Sequence, residues 1–109
     1  MDEASYAASV SAVFKKLVKA VDAVDPDLLE ADATADMVTI TAVKSGEKVI
    51  VNTQRAVQQI WVAGGGAGIH FSLGPDGRWL DDKGKGLELL TWVETCVSGA
   101  SGQGLSYAG

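Results

Sequence analysis

Alternating apolar and polar residues between Lys48 and Leu73 constrain the fold of this chain more than any other feature of its sequence. A polar break at residues 52–55 and a glycine-rich turn at residues 64–66 divide the segment into three short strands. Strands that alternate with a period of two bury one face and leave the other in water. The predicted inward-facing residues of these strands are Val49, Val51, Val57, Ile60, Val62, Ile69, Phe71 and Leu73.

Trp61 is predicted to lie on the solvent-facing side of these strands. If Ile60 and Val62 point into the core, the alternation places Gln59 and Trp61 on the opposite face. The same argument applied to the third strand places His70 on that face. A tryptophan ring in water needs an explanation, because burial of so large an apolar surface is favourable.

Two interpretations of Trp61 remain open. In the first, Arg55 or a neighbouring strand partly covers the ring, and Trp61 matters only for packing. In the second, the ring anchors a partner protein, because tryptophan is enriched at binding hot spots. Gln54, Gln59 and His70 can supply hydrogen bonds around it. These polar neighbours favour the second interpretation.

An amphipathic helix is predicted over residues 4–24, because apolar residues recur there at spacings of three and four. Lys15, Lys16 and Lys19 lie on its polar side. Pro26 disfavours helical backbone at Asp25, so the helix is expected to end there. The predicted apolar stripe consists of Tyr6, Val10, Val13, Phe14, Leu17, Val21 and Val24.

The remaining strands complete an antiparallel sheet. Residues 37–43 have the β-branched content of a strand, and Ser45-Gly46 turns the chain back into a partner strand. A second hairpin crosses the glycine-rich turn, and Pro75-Asp76-Gly77 precedes a short final strand. The strands are predicted at residues 37–43, 47–52, 57–63, 68–73 and 78–80.

A second amphipathic helix follows, beginning near residues 84–86. Its apolar stripe is predicted to be Leu87, Leu89, Leu90, Trp92, Val93, Cys96 and Val97. Residues 98–109 form a tail rich in Gly and Ser that is expected to be mobile, although Leu105 and Tyr107 can dock.

Two amphipathic helices and a sheet with one apolar face pack most economically with both helices on that face. The predicted fold class is therefore α+β. It is a two-layer α-β sandwich with two terminal helices on one face of an antiparallel sheet of about five to six strands. The 109 residues suffice for one domain, which we assign to residues 1–97.

Composition narrows the classes of partner. Nine basic and fourteen acidic residues give a net charge of -5, which argues against nucleic acid and anionic membranes. No apolar run approaches the roughly 20 residues that a bilayer-spanning helix needs, and no secretory leader is recognisable. A single cysteine, Cys96, fits a reducing compartment, so a cytoplasmic location is expected.

Acidic residues cluster around the end of the first helix. Carboxylates are unfavourable there, because the helix dipole is negative at its C-terminal end, whereas Asp2 and Glu3 lie at the favourable end. Crowded carboxylates can bind magnesium, calcium, manganese or iron, but they can also form an ordinary solvated acidic edge. Both interpretations stay open. The cluster consists of Asp22, Asp25, Asp27, Glu30, Asp32 and Asp36.

No catalytic residues are predicted. His70 is the only histidine, and it cannot form a zinc site with Cys96 alone, since zinc takes about four ligands. Cys96 lies on a buried helical stripe and is interpreted as a core residue. Neither a nucleophile motif nor a phosphate-binding glycine motif occurs in the chain.

The order of motifs resembles the frataxin family in its bacterial form. The resemblance covers residues 4–97 and includes the stretches DMVTIT, SGEKVIVNTQ, QQIWVA, GGAGIHF and WLDD before the last helix. It implies an α-β sandwich, weak iron binding through an acidic ridge, and contacts with a cysteine desulfurase and its scaffold protein in iron–sulfur cluster assembly. Carried over by position, the ridge would comprise Asp22, Asp25, Asp27, Glu30 and Asp32, together with Glu3 and Asp36.

The resemblance also implies a contact surface on the sheet at Asn52, Gln54 and Trp61, to which the residue pattern adds Gln59 and His70. The ridge is sparser than is usual in the family, because Ala23, Leu29 and Ala31 occupy positions that are often acidic. Each missing carboxylate removes an oxygen donor, so weaker iron binding than in a typical member is predicted.

The leading functional hypothesis is a non-enzymatic iron-binding regulator and adaptor of iron–sulfur cluster assembly. It is expected to be a monomer, with iron-dependent oligomers as an alternative, and to bind Fe2+ or Fe3+ weakly or another divalent cation. A ferroxidase that stores iron is a competing hypothesis, although the Glu-x-x-His pairs of di-iron bundles are missing. A protein-interaction module that never binds metal is the third.

Overall fold

The computed structural model describes residues 1–107 and shows two helices packed on one face of a six-stranded antiparallel sheet. The strands follow one another in chain order across the sheet, so each one pairs with its neighbour in sequence. This architecture confirms the predicted α-β sandwich. The elements are α1 (Glu3–Asp22), β1 (Leu29–Ala33), β2 (Met37–Ala42), β3 (Lys48–Gln54), β4 (Gln59–Gly64), β5 (Ala67–Leu73), β6 (Trp79–Asp81) and α2 (Leu89–Ser101).

The core lies between the helices and the sheet. Apolar residues of alternating strand positions meet the stripes of both helices, as the sequence periods predict. Tyr6 of α1 joins the layers by donating a hydrogen bond of 2.7 Å to the backbone carbonyl of Gln59. Its ring meets that of Trp79 edge-on, with centroids 6.2 Å apart. The fully enclosed residues include Leu17, Leu29, Val38, Ile40, Val51, Ile60, Val62, Phe71, Leu89 and Val93.

Helix α1 ends at Asp22, three residues before the predicted end at Asp25. The Asp2 carboxylate caps its start by accepting a 2.7 Å hydrogen bond from the Ser5 amide. After the helix, the carbonyl of Asp25 accepts hydrogen bonds from the Leu28 and Leu29 amides. The Leu28 bond closes a turn with Pro26 at its second position, so the chain turns at Pro26 after the helix has already ended.

Strand β1 is the element that sequence patterns missed. Its sequence LEADA contains no β-branched or aromatic residue, so its intrinsic strand preference is low. The segment is extended because it pairs with β2, with Leu29 opposite Ala42 and Ala33 opposite Val38. Tertiary pairing thus raises the number of strands from the five located by pattern to six.

The connection between β3 and β4 also differs from the prediction. Residues 52–54 continue β3 instead of breaking it, and a short 3-10 turn at Arg55–Val57 follows. Val57, predicted to face inward, is 62% exposed in that turn, so this prediction was wrong. The alternation is interrupted because Gln58 takes a left-handed conformation with φ of 53°.

Helix α2 begins later and ends later than predicted. Glu88 caps it, its carboxylate accepting hydrogen bonds from the Leu90 and Thr91 amides. The helix continues through Ser101 and stops at Gly102, which has φ of 74° and is suited to a left-handed cap. Beyond it, Leu105 and Tyr107 pack against the core, and the Tyr107 hydroxyl donates a 2.8 Å hydrogen bond to the Leu90 carbonyl.

The predicted mobile tail at residues 98–109 thus begins as helix, and its last two residues lie outside the described part of the chain. The assignment of a single domain to residues 1–97 stays a prediction.

Candidate functional site

Three of the predicted contact residues, together with Met37, form one row across the open face of the sheet. The strand register puts Met37 opposite Asn52, Asn52 opposite Trp61, and Trp61 opposite His70. These residues come from β2, β3, β4 and β5, and their side chains share the face that the helices leave uncovered. The register thus brings together residues that are far apart in the sequence, with Trp61 at the centre of the row.

The ring of Trp61 lies over Gly68 on the neighbouring strand. A Cβ atom at Gly68 would come within 2.8 Å of two atoms of the indole ring, so only glycine leaves the ring its place. The Trp61 and His70 rings are 6.4 Å apart between centroids and tilted by 40°. The indole is consequently half-buried on a flat platform, with its remaining surface available to a partner.

A second polar row borders the first. Gln54 lies opposite Gln59, and Gln59 lies opposite Ser72, whose hydroxyl accepts a 3.0 Å hydrogen bond from the Gln59 amide group. This hydrogen bond fixes the side chain of Gln59, a predicted contact residue, and leaves its side-chain carbonyl oxygen available as an acceptor. Ser72 was not among the predicted site residues, because its proximity depends on strand register.

The five residues predicted for partner binding therefore occupy one continuous surface. Their placement agrees with the solvent-facing side expected from the alternation, while their role in binding stays a prediction. Met37, which is 37% exposed at the end of the row, is an apolar addition that the sequence did not single out. The surface, named the open sheet face from here on, consists of Met37, Asn52, Gln54, Gln59, Trp61, His70 and Ser72.

His70 has one further feature. Its Nδ1 atom is enclosed without a hydrogen-bond partner among the described residues, although the side chain as a whole is only half-buried. Buried polar atoms normally find a partner, so this nitrogen is an exception, and because it is enclosed it is not presented to a protein that docks on this face.

The acidic residues border this face along its first edge. Glu30 and Asp32 project from β1 on the open side, opposite Thr41 and Thr39 of β2. Asp22, the last residue of α1, lines the same depression as Glu30 and Asp32. Asp25 and Asp27 lie exposed in the turn between them, where the Asp25 carboxylate accepts a 2.9 Å hydrogen bond from the Asp27 amide.

These acids form an edge rather than a chelating cluster. Within residues 1–107, no three histidine, cysteine, aspartate or glutamate side chains converge closely enough to hold a metal ion. A cation at this edge would therefore take one or two carboxylates and complete its shell with water. We call this edge the acidic edge; its members are Asp22, Asp25, Asp27, Glu30 and Asp32.

The structure does not bring the other two predicted ridge residues into the acidic edge. Glu3 begins α1, whereas Asp22 ends it, so the two lie roughly 29 Å apart along a 20-residue helix. Asp36 lies in the β1–β2 turn and pairs with Arg55, whose guanidinium nitrogen is 2.6 Å from its carboxylate. This pairing partly neutralises Asp36 towards any cation.

Asp36 also accepts a 3.0 Å hydrogen bond from the Thr53 hydroxyl. The Arg55 hydrogen bond, followed by that of Thr53, holds the pKa of Asp36 below its usual value. Arg55 was considered as a cover for Trp61, and the structure places it against Asp36 instead. If the Trp61 ring is partly covered, as the first interpretation holds, its cover comes from Gly68 and His70 of the neighbouring strand and not from Arg55.

Helix α1 adds positive charge near these acids. Lys15 and Lys19 line a groove between α1 and the end of β1, with Asp22 and Arg55 at its ends. The lysines were predicted to lie on the polar side of the helix, and they do. Their position beside β1 was not predictable, because the strand itself was not.

Comparison with known proteins places these features in a family. Residues 1–103 match the family model described as a frataxin-like domain. The iron-sulfur cluster assembly protein CyaY of Tolumonas auensis is 34% identical over 103 residues, which cover 94% of this chain and 95% of that protein. A protein of the same name from Shewanella sp. strain ANA-3 is 33% identical over 88 residues, covering 81% of this chain and 77% of the relative.

The fold has a close counterpart among solved structures. A frataxin from Psychromonas ingrahamii superimposes with a TM-score of 0.87 over the whole of both chains, at 20% sequence identity. That likeness supports the architecture alone. In the described residues, no helix is both long enough and apolar enough to cross a membrane.

Proposed function

The chain belongs to the frataxin family, and from that premise we propose that it is an iron-binding regulator and adaptor of iron–sulfur cluster assembly. Its partners in this proposal are a cysteine desulfurase and the scaffold protein on which clusters form, and its place of action is the cytoplasm. The relatives that cover most of the chain carry the name of iron–sulfur cluster assembly proteins.

The observation that carries the proposal is the pairing of two surfaces. The open sheet face centres on a half-buried Trp61 and offers hydrogen-bonding groups on both sides. The acidic edge borders it and carries the exposed carboxylates of Glu30 and Asp32. An aromatic anchor beside a charged rim is the arrangement of a protein-binding surface, with the rim guiding a basic partner.

Iron would be held weakly by the acidic edge. Carboxylate oxygens are hard donors suited to Fe2+ and Fe3+, and Asp22, Glu30 and Asp32 face one depression. Because no three of these groups converge, most of the ion's shell would be water. The proposal therefore treats iron as cargo in exchange with solvent rather than as a structural metal.

The first test is a proton–nitrogen NMR titration of the protein with ferrous iron in the absence of oxygen. Iron at the acidic edge would selectively broaden the amides of Asp22, Glu30 and Asp32, because the ion is paramagnetic. A double variant, Glu30→Gln with Asp32→Asn, removes both charges at nearly constant volume and should abolish the broadening. Asp76→Asn is the matched control, because Asp76 is an exposed acid bonded to Arg78 in a turn far along the chain.

Uniform broadening across the chain, or broadening that survives the double variant, would contradict iron binding at this edge. The absence of any selective change up to about millimolar iron would do the same. The protein would then bind its partners without the help of a metal ion.

The second test addresses the partner. Trp61→Ala should weaken binding to the cysteine desulfurase by about 2 kcal/mol or more, the usual size of a hot-spot loss, as measured by titration calorimetry. Val57→Ala is the matched control, because Val57 is also an exposed apolar residue on the β3–β4 connection and lies outside the open sheet face. Equal losses in both variants, or none in either, would contradict an anchoring role for Trp61.

A metal-independent docking protein is the second candidate, and the lack of converging ligands within residues 1–107 favours it. The two candidates differ in the effect of iron on the complex. If iron matters, ferrous iron should change the desulfurase affinity of the protein, and the double variant should remove that change. If the protein acts only by docking, the affinity should be the same with iron and with a chelator.

A further inference from the structure

The two edges of the sheet are protected differently. At the far edge, the backbone of β6 is covered, because Leu80 bridges Glu88 and the Asp81 amide donates to the Leu87 carbonyl. At the opposite edge, β1 pairs only with β2 among residues 1–107. An unpaired strand edge is a template for a further strand unless something blocks it.

The phase of the β1–β2 ladder shows which backbone groups point outward. The Thr34 amide donates to the Met37 carbonyl and the Val43 amide donates to the Leu28 carbonyl, so even-numbered residues of this segment face β2. Ala31 and Ala33 therefore direct their amides and carbonyls away from the sheet. The Leu29 amide is already bonded to the Asp25 carbonyl, which limits the available edge to these two residues.

Beside this edge lies an apolar groove of about 570 Å³ between β1 and α1. Its walls include Val10, Phe14 and Val18 of the helix and Ala33 of the strand. A strand added next to β1 would turn every second side chain towards this groove, since alternate residues point to opposite faces. The volume of the groove is sufficient to receive apolar side chains in that row.

The charge beside β1 differs between the open side of the sheet and the side that faces α1. On the open side, a new strand would meet Glu30 and Asp32, which attract basic side chains. On the helix side it would meet the groove, where Lys15 and Lys19 disfavour basic side chains and their stems add apolar surface. A second copy of this chain is a poor occupant, because two β1 strands side by side would bring the acidic residues of both together.

We propose that β1 binds an extended segment of a partner protein as a seventh strand, with basic side chains on the open side alternating with apolar side chains in the groove. The backbone of Ala31 and Ala33 supplies the hydrogen bonds, and the two faces supply the specificity. The inference shares Glu30 and Asp32 with the proposed function, but it requires neither iron nor a role in cluster assembly.

The test uses a synthetic peptide of alternating lysine and valine, with the protein itself and no other component. Hydrogen exchange followed by NMR should show slower exchange of the Ala31 and Ala33 amides on binding, because both become hydrogen-bonded. A peptide of alternating glutamate and valine is the control for charge and should bind at least about tenfold more weakly. Failure of the lysine peptide to bind, or binding without protection of these amides, would overturn the proposal.

Two further probes separate strand addition from simple charge attraction. One peptide is N-methylated at every lysine and the other at every valine, so each blocks a single edge of the added strand. An added strand pairs with β1 through only one of its own two edges. One methylated peptide should therefore lose affinity about tenfold, while the other keeps the affinity of the unmethylated peptide. Equal affinities of the two methylated peptides would overturn the proposal without any change to the protein.

A variant of the protein completes the design. Ala33→Pro removes an outward amide while sparing the β1–β2 ladder, and it should lower peptide affinity about tenfold. Ala33→Ser, which keeps the backbone amide at the same exposed position, is the matched control and should change affinity far less. The iron and desulfurase measurements fail or succeed separately, because they depend on side chains rather than on the β1 backbone.

Discussion

The two faces of the sheet are built from the same strands but differ in what their residues do. On β5, Phe71 is fully enclosed beneath the helices, while its neighbour His70 is half-buried on the open side. On β4, Ile60 and Trp61 show the same contrast. One face stabilises the fold, and the other holds a large ring and several polar groups where a partner can reach them.

The difference shows how a small domain combines stability with binding. Apolar packing on the covered face supplies the free energy of folding, so the open sheet face need not contribute much to it. Residues there can be selected for recognition instead of packing. Four predictions test how strictly the two faces divide these tasks.

The largest effect is expected from a matched pair on β5. Phe71→Ala should lower the free energy of unfolding by about 3–5 kcal/mol, because it leaves a cavity in the enclosed core. His70→Ala, one residue away on the open side, should change it by about 1 kcal/mol or less. Urea denaturation of both variants measures the contrast, and similar losses in the two would break the division between the faces.

Gly68→Ala probes the platform of Trp61. The new methyl group would come within 2.8 Å of the indole ring, so the ring must move, at a cost of about 1–2 kcal/mol. The emission spectrum of Trp61 should shift as the ring leaves its place.

Gly99→Ala is the control for Gly68→Ala, because it lies within α2 and nothing stands within 4 Å of the added Cβ. It should raise stability by about 0.5–1 kcal/mol, since alanine favours a helix over glycine. A neutral Gly68→Ala with unchanged fluorescence would show that the open sheet face is more adaptable than the structure indicates.

Asp81 is a buried polar residue on the covered face, and the stability that it contributes should depend on pH. Its carboxylate accepts hydrogen bonds from the Lys85 and Leu87 amides, which hold its pKa below the usual value and fix the loop before α2. A depressed pKa means that this stabilisation is present at neutral pH and is lost as the pH falls through the folded-state pKa.

The stability difference between the native chain and Asp81→Asn should therefore stay constant above about pH 5 and shrink between about pH 5 and pH 2 in urea denaturation. Asp82→Asn, at the exposed neighbouring position, is the control for the loss of one charge in this loop. A difference that stays constant over this range would mean that the charge of Asp81 does not stabilise the loop.

The smallest effect is expected at the turn that belongs to neither face. Arg55→Ala removes the partner of Asp36, but both side chains are exposed, so the melting temperature should hardly change. The pKa of Asp36 should rise towards its usual value, because its main hydrogen-bond donor is gone. Carboxyl carbon NMR measures that shift, and a large loss of stability would make the turn part of the folding unit.

Most of the architecture followed from the periods of the sequence. The stripe from Tyr6 to Val21 gave α1, and the alternation around Ile60 and Phe71 assigned both faces of the central strands. These predictions succeeded because apolar residues recur at the spacing that each element needs to bury one side. Strand β1 escaped them, since its five residues have little strand preference of their own.

The sequence by itself determined the two helices, the order of the strands after β1, the covered face and the solvent-facing position of Trp61. Tertiary structure alone decided which residues meet: Asn52 and His70 on either side of Trp61, Gly68 beneath its ring, and Arg55 against Asp36. Local patterns specify which way a side chain points, because they depend on neighbours in the chain. Cross-strand partners depend on register, which is fixed only when the strands pair and the whole core packs.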